Sequence, residues 1–141
     1  MTAQTITDAG TDTAGTIQEF FTRFGAGDLP ALLDLFTDEV DWNVPGSAVV
    51  PWTGRRTTKE ELTAFFVSAG EEVAATERFE VDRIVADGDT GVALGRFIHV
   101  IRRTGKKFSS EFALHIAVSG GRIRLYHMFE DGAAAAEAFT A

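Results

Sequence analysis

An α+β fold is predicted for this chain, with helices first and an antiparallel sheet after them. Two observations carry that expectation. Residues 92–129 hold three long apolar runs, broken at Thr104-Gly105-Lys106 and at Ser119-Gly120-Gly121, the pattern of two consecutive hairpins. Upstream, three segments repeat apolar residues at i, i+3, i+4 and i+7 or close to it, which puts one apolar stripe on each of three helices.

In chain order, residues 1–15 are small and polar without periodicity and are expected to be a disordered N-terminal tail. A single domain is expected over 16–141. Thr16 and Glu19 read as a capping box that opens the first helix, whose face carries Ile17, Phe20, Phe21 and Phe24 before Gly25 and Gly27 stop it. Asp28 caps a second helix, with Pro30 in its first turn and Leu29, Leu32, Leu33 and Phe36 on its stripe. A short strand is predicted over 40–44, then a Pro/Gly-punctuated loop over 45–57 that carries Trp52. Thr58 and Glu61 form another capping box, opening a helix with Leu62, Phe65, Phe66 and Ala69 on one face. A strand over 79–86 turns at Asp87-Gly88-Asp89 into the three long strands, and Asp131 caps a short Ala-rich helix to about Phe139.

Length and composition restrict the class. The 141 residues suit one domain, and 45% hydrophobic with 24% charged residues is ordinary for a folded soluble chain. Twelve Phe beside one Tyr and two Trp point to a core or cavity lined by aromatic surface without polar handles. A net charge of −8 argues against nucleic acid, because phosphate neutralisation needs clustered Lys and Arg. With no cysteine there is no disulfide framework and no thiolate chemistry. No apolar run approaches the roughly 18 residues of a membrane span. The N-terminus shows no basic region followed by an apolar stretch, so a cytoplasmic location is expected, with no membrane partner.

Period-two alternation assigns faces to the strands. In 108–118 the even residues Phe108, Phe112, Leu114, Ile116 and Val118 are the bulkier set and should meet the helices. A three-residue turn at 104–106 would pair even with even positions and put Val92, Leu94, Arg96, Ile98 and Val100 on that same face. The last strand is apolar on both faces and must be covered on both. A second copy of the chain is the expected cover, through Phe97, Ile101, Leu125 and Phe129.

The runs FFTRFGAGDLPALLDLFTDEVDWNVPG, GRRTTKEELTAFF and GRIRLYHMFED before the Ala-rich end resemble the SnoaL-like branch of the nuclear transport factor 2-like superfamily, over about residues 16–139. The resemblance implies a cone-shaped roll, in which a curved antiparallel sheet wraps the N-terminal helices around a central apolar pocket. It also implies that many members pair through the outer face of the sheet. Ketosteroid isomerases of this superfamily carry a Tyr and two Asp; the matching positions here are Phe20, Val44 and Leu114, all hydrocarbon. Its epoxide hydrolases hold an Arg between two Asp; Arg96 matches the Arg, while the acid positions fall near Ile98 and Met128.

The candidate catalytic residues are therefore Arg96, Tyr126 and Glu130, on the even positions of the last strands. Arg96 would bind an anionic oxygen or orient water, or else serve as a structural partner of an acid. Tyr126 would donate to a ligand carbonyl or only wall the cavity; Glu130 would act as a general base, pair with Arg96, or sit at the rim. The expected ligand-binding wall is Phe20, Trp42, Val44, Ile98, Phe112, Leu114 and Met128. His99, His115 and His127 are all odd and could share one sheet face, with His99 pairing Glu111, yet a metal site needs three or four converging ligands and none is expected. No Gly-rich phosphate loop is present and no cofactor is expected. Two functions fit these residues. One is a cofactor-independent isomerase, cyclase or hydrolase-like enzyme acting on a small hydrophobic molecule of polyketide, terpenoid or steroid type. The other is a ligand-binding or dimerisation module without catalysis.

Overall fold

The computed structural model describes residues 2–141, with side chains from Thr13 onward. The tail expected over residues 1–15 lies mostly outside the described side chains. The element order is α1 (Thr2–Ala26), α2 (Leu29–Asp34), β1 (Phe36–Val44), β2 (Gly54–Thr58), α3 (Lys59–Glu72), β3 (Val73–Asp87), β4 (Thr90–Ile101), β5 (Lys107–Ser119), β6 (Arg122–Glu130) and α4 (Gly132–Phe139). Helix α1 is already under way at Thr16, so the Thr16–Glu19 pair does not open it. Thr13 is buried, and its hydroxyl donates to the Gly88 carbonyl at 2.6 Å, tying α1 to the β3–β4 turn.

The other caps form as expected, but Phe36, expected on the stripe of the second helix, opens β1 instead, because α2 ends at Asp34. The Asp28 carboxylate accepts from Ala31 N, and Pro30 sits where its missing N–H costs nothing. Thr58 and Glu61 make the reciprocal capping box of α3, and Asp131 caps α4 through Ala134 N. Helix α1 is followed by Gly27 at φ 70°, a left-handed conformation that glycine adopts without a Cβ penalty.

The six described strands form one sheet in the order β2-β1-β6-β5-β4-β3. Every pairing is antiparallel except β1 with β6, which is parallel. Irregular register in β1, β3 and at the β5–β6 turn bends the sheet. Helix α1 packs against β3, β4 and β5, and α3 against β1, β2 and β3, so the sheet curls around the helices from both sides. At Gly95 a Cβ would lie 2.0 Å from the Glu80 carbonyl and 2.7 Å from the Phe112 ring, so this close approach admits only glycine.

Strand β2 was not expected. Gly-Arg-Arg-Thr-Thr has no apolar alternation because it is an exposed edge strand with nothing to bury. The face assignment holds for β5 and fails for β4. Ile101 N donates to Lys106 O at 2.9 Å and Gly105 N to Ile101 O at 2.8 Å, which makes the connection four residues, Arg102–Gly105, rather than three. One added loop residue pairs odd with even positions: Arg96 faces Glu111, Phe97 faces Ser110 and His99 faces Phe108. Every β4 side chain therefore points the opposite way from the expectation. Phe97 and Ile101, expected at a subunit interface, lie in the core at 2% and 0% exposure.

Candidate functional site

A cavity of about 340 Å³ lies between the helices and the inner face of the sheet. Helix α1 contributes Phe20, Phe21 and Phe24 to its wall, and α3 contributes Phe65, Phe66, Ala69 and Gly70. These are the i, i+3, i+4 stripes of the two helices, facing each other. From the sheet come Val44 of β1, Phe79 of β3, Phe97 and His99 of β4, Leu114 of β5, and Tyr126, Met128 and Glu130 of β6. Among the described residues, no Lys or Arg lines it.

Of the expected wall, Phe20, Val44, Leu114 and Met128 line the cavity. Trp42 does not: it is buried behind Tyr126, the two rings stacked with centroids 3.9 Å apart and planes within 9°. Phe112 packs among Phe21, Phe79 and Phe97 in the layer outside the lining. Ile98 falls on the outer face with the rest of the even β4 residues.

Arg96 is also on the outer face. Its guanidinium is 43% exposed and pairs with Asp82 at 3.2 Å and Glu111 at 4.0 Å, an exposed network rather than an anion site in the cavity. The histidines divide between the faces. His99 lines the cavity, while His115 and His127 stand opposite each other outside, where His127 Nε2 lies 2.9 Å from Asp41 Oδ1. His99 pairs with Thr76, not with Glu111.

Tyr126 and Glu130 both reach the cavity, because β6 carries them with Met128 on one face. Trp52, from the loop after β1, donates its indole N–H to Glu130 Oε2 at 2.8 Å. That loop is held in turn by Arg56, which donates to the Trp52 carbonyl, and by packing of the Trp52 ring on Phe108 and Phe139. Burial pushes the Glu130 carboxyl above the usual carboxylate range, and the Trp52 N–H offsets part of that rise. Burial also pushes the Tyr126 hydroxyl above its ordinary range, with the nearby Glu130 charge adding to it.

Among the described residues, Trp42 Nε1 is the one buried side-chain polar atom that is both sealed and without a partner. The Tyr126 hydroxyl bonds to no described protein group, so it remains accessible from the cavity it lines. The β5 register sets the spacing of the polar groups. Tyr126 is level with Ile116, Glu130 with Phe112 and His99 with Phe108, so they stand at successive levels about 13 Å apart along the strand. A carboxyl with a raised pKa, a free phenol and a neutral imidazole along an apolar wall can accept and donate protons to a ligand. The sheet offers no charge to hold a strongly anionic one.

Sequence reasoning passed over His99 as a cavity residue because its face depended on the loop between β4 and β5. The signal was Gly105, whose φ of 73° ends a four-residue connection. The Trp52–Glu130 bond joins residues 78 apart and had no local signal.

No helix among the described residues is long and apolar enough to cross a membrane. No curated protein matches the chain. Solved structures do. An NTF2-like protein from Burkholderia xenovorans LB400 is 22% identical, covering 93% of this chain and 98% of that one, with a TM-score of 0.84. One from Burkholderia thailandensis E264 is 25% identical over 92% and 98%, with a TM-score of 0.81. TerC, co-crystallised with polyporic acid, is 15% identical over 92% and 99%, with a TM-score of 0.80. The model of the SnoaL-like domain matches residues 17–126, from the first cavity-facing turn of α1 to Tyr126. The chain belongs to the SnoaL-like domain family.

Proposed function

We propose that the cavity binds a small, largely apolar molecule carrying an oxygen function and that Glu130 moves a proton on it. The observation that carries the reading is the Glu130 carboxylate lining an aromatic cavity while anchored by the Trp52 N–H. A carboxyl whose pKa is raised by burial is a stronger base than an exposed one when ionised. In the proposed step Glu130 takes a proton from carbon. The C–H electron pair moves through a conjugated system to the ligand oxygen, which the Tyr126 hydroxyl meets by hydrogen bonding. Return of the proton to another carbon completes an isomerisation; attack by the enolate carbon on a second carbonyl, with the proton passing from Glu130 to the alkoxide so formed, would instead complete a cyclisation. The co-crystallisation of TerC with polyporic acid supports a ligand-binding role for this kind of cavity.

The competing reading is passive binding, favoured by the hydrocarbon at Phe20, Val44 and Leu114, where acidic or phenolic groups stand in isomerases that the chain resembles. Incubation with 2-tetralone in deuterated buffer separates the two. Exchange at the carbon beside the carbonyl above the buffer rate, lost in Glu130→Gln, is expected for the proton-transfer reading. Ligand-induced thermal stabilisation without such exchange would replace it by passive binding.

The assembly that accompanies this reading is a dimer through the outer sheet face. Phe129 and Leu94 are 48% and 41% exposed there, both level with Ala113 of β5, and Leu125 follows on the same face of β6. Leu125 and Phe129 remain candidates for the contact, and Leu94 takes the place of Phe97 and Ile101.

A further inference from the structure

We infer that His99, held by Thr76, is a second polar anchor at the rim of the cavity, taking through Nε2–H an acceptor oxygen at the far end of an elongated ligand. The inference rests on the ligand-binding reading above. His99 lines the cavity together with Thr76, and Thr76 Oγ1 lies 3.0 Å from His99 Nδ1. The imidazole is further held by stacking on Phe97, with centroids 4.3 Å apart. A hydroxyl that donates to Nδ1 leaves the ring proton on Nε2. No described protein group bonds to Nε2, and it is not sealed from solvent-sized space, so it is open to a ligand.

The chemistry of the site narrows what that ligand carries. Burial pushes the imidazole down to about 4, so it is neutral at neutral pH and offers a hydrogen bond without charge. Among the described residues no Lys or Arg lines the cavity, and Glu130, when ionised, adds negative charge. A carboxylate or phosphate at the rim would therefore be poorly held, whereas a carbonyl would be well matched. His99 enters the cavity level with Phe108 and Glu130 level with Phe112, from the strands on either side of β5, so the two groups meet a bound molecule at different levels. The ligand class is thus a flat or elongated hydrocarbon skeleton with two separated oxygen functions, the rim one a neutral acceptor.

Two isosteric probes test this: 6-acetyl-2-tetralone, which carries the rim carbonyl, and 6-isopropyl-2-tetralone, which lacks it. Binding is measured by calorimetry for the full chain and for His99→Phe. The expected result is a drop of about tenfold in the acetyl-to-isopropyl affinity ratio in His99→Phe, with isopropyl affinity unchanged. An unchanged ratio overturns the inference and leaves the ligand-binding reading standing. Failure of both ketones to bind the natural chain overturns both. Should His99→Phe not fold, Thr76→Val reads the same ratio, with a two- to threefold drop expected because the tautomer is no longer held. Nitrogen chemical shifts of the imidazole provide a readout independent of binding. The Nε2–H tautomer is expected in the natural chain and a mixture in Thr76→Val; an Nδ1–H tautomer in the natural chain would sink the proposal.

Discussion

Trp52 donates its indole N–H to the Glu130 carboxylate at 2.8 Å, joining the loop after β1 to the end of β6, 78 residues later. This bond holds in place the one carboxylate that lines the cavity among the described residues. Without it, an apolar wall would present a carboxyl with no fixed orientation. A charge-assisted hydrogen bond of this kind contributes about 1.5–3 kcal/mol. A double-mutant cycle with Trp52→Phe and Glu130→Leu, which leaves no acceptor, is expected to show coupling of that size by urea unfolding at neutral pH. Coupling within error of zero would mean that the loop position, not the bond, matters.

The raised carboxyl of Glu130 has a stability consequence with a definite sign. Its folded pKa lies above the unfolded value, so between them the folded state binds more protons and stability falls as pH rises. Glu130→Gln keeps an acceptor for Trp52 and removes the titration. The variant is expected to gain stability relative to the natural chain as pH rises from the ordinary carboxylate range to neutrality. Equal pH profiles for the two proteins would refute the assignment.

His99 acts in the opposite sense. Its pKa is pushed from 6.5 to about 4, so the unfolded state binds more protons in that window and stability rises with pH through it. The natural chain should lose on the order of 2–3 kcal/mol from this group as pH falls from above 6.5 to 4. Unfolding of His99→Phe across the same range should lack that slope, measured as the difference between the two curves.

Arg96 and Leu114 test the faces of the sheet. Arg96→Ala removes an exposed pair and should cost less than about 1 kcal/mol, with ketone binding unchanged. Leu114→Asp places a carboxylate at a position of 0% exposure on the cavity wall and should cost several kcal/mol. The reverse ranking in denaturant melts would mean that the β4 and β5 faces are assigned wrongly.

For the proposed assembly, sedimentation at micromolar concentration should give a dimer for the natural chain and a monomer for Phe129→Glu. Removal of an exposed phenyl ring leaves the fold intact, so circular dichroism should match. A natural chain that sediments as a clean monomer would dispose of the idea.

Whatever depended on neighbours a few residues apart was legible in the sequence by itself. The Thr58–Glu61 box, the Asp28 and Asp131 caps, the stripes of α1 and α3 and the inward face of β5 all form as read, because caps and periodicity are settled within one turn or one strand. Tyr126, Glu130, Leu114, Val44 and Phe20 reach the cavity for the same reason. Tertiary structure decided the rest. Arg96 and His99 exchanged faces because a single residue in the Arg102–Gly105 connection inverts every side chain of β4, and no pattern within β4 outweighs that choice. Strand β2 exists because β1 offers it an edge, not because its own residues demand one. Glu130 became a buried, anchored carboxyl only when a distant loop brought Trp52 across to it: a hydrogen bond between remote segments leaves no period in the chain from which to read it.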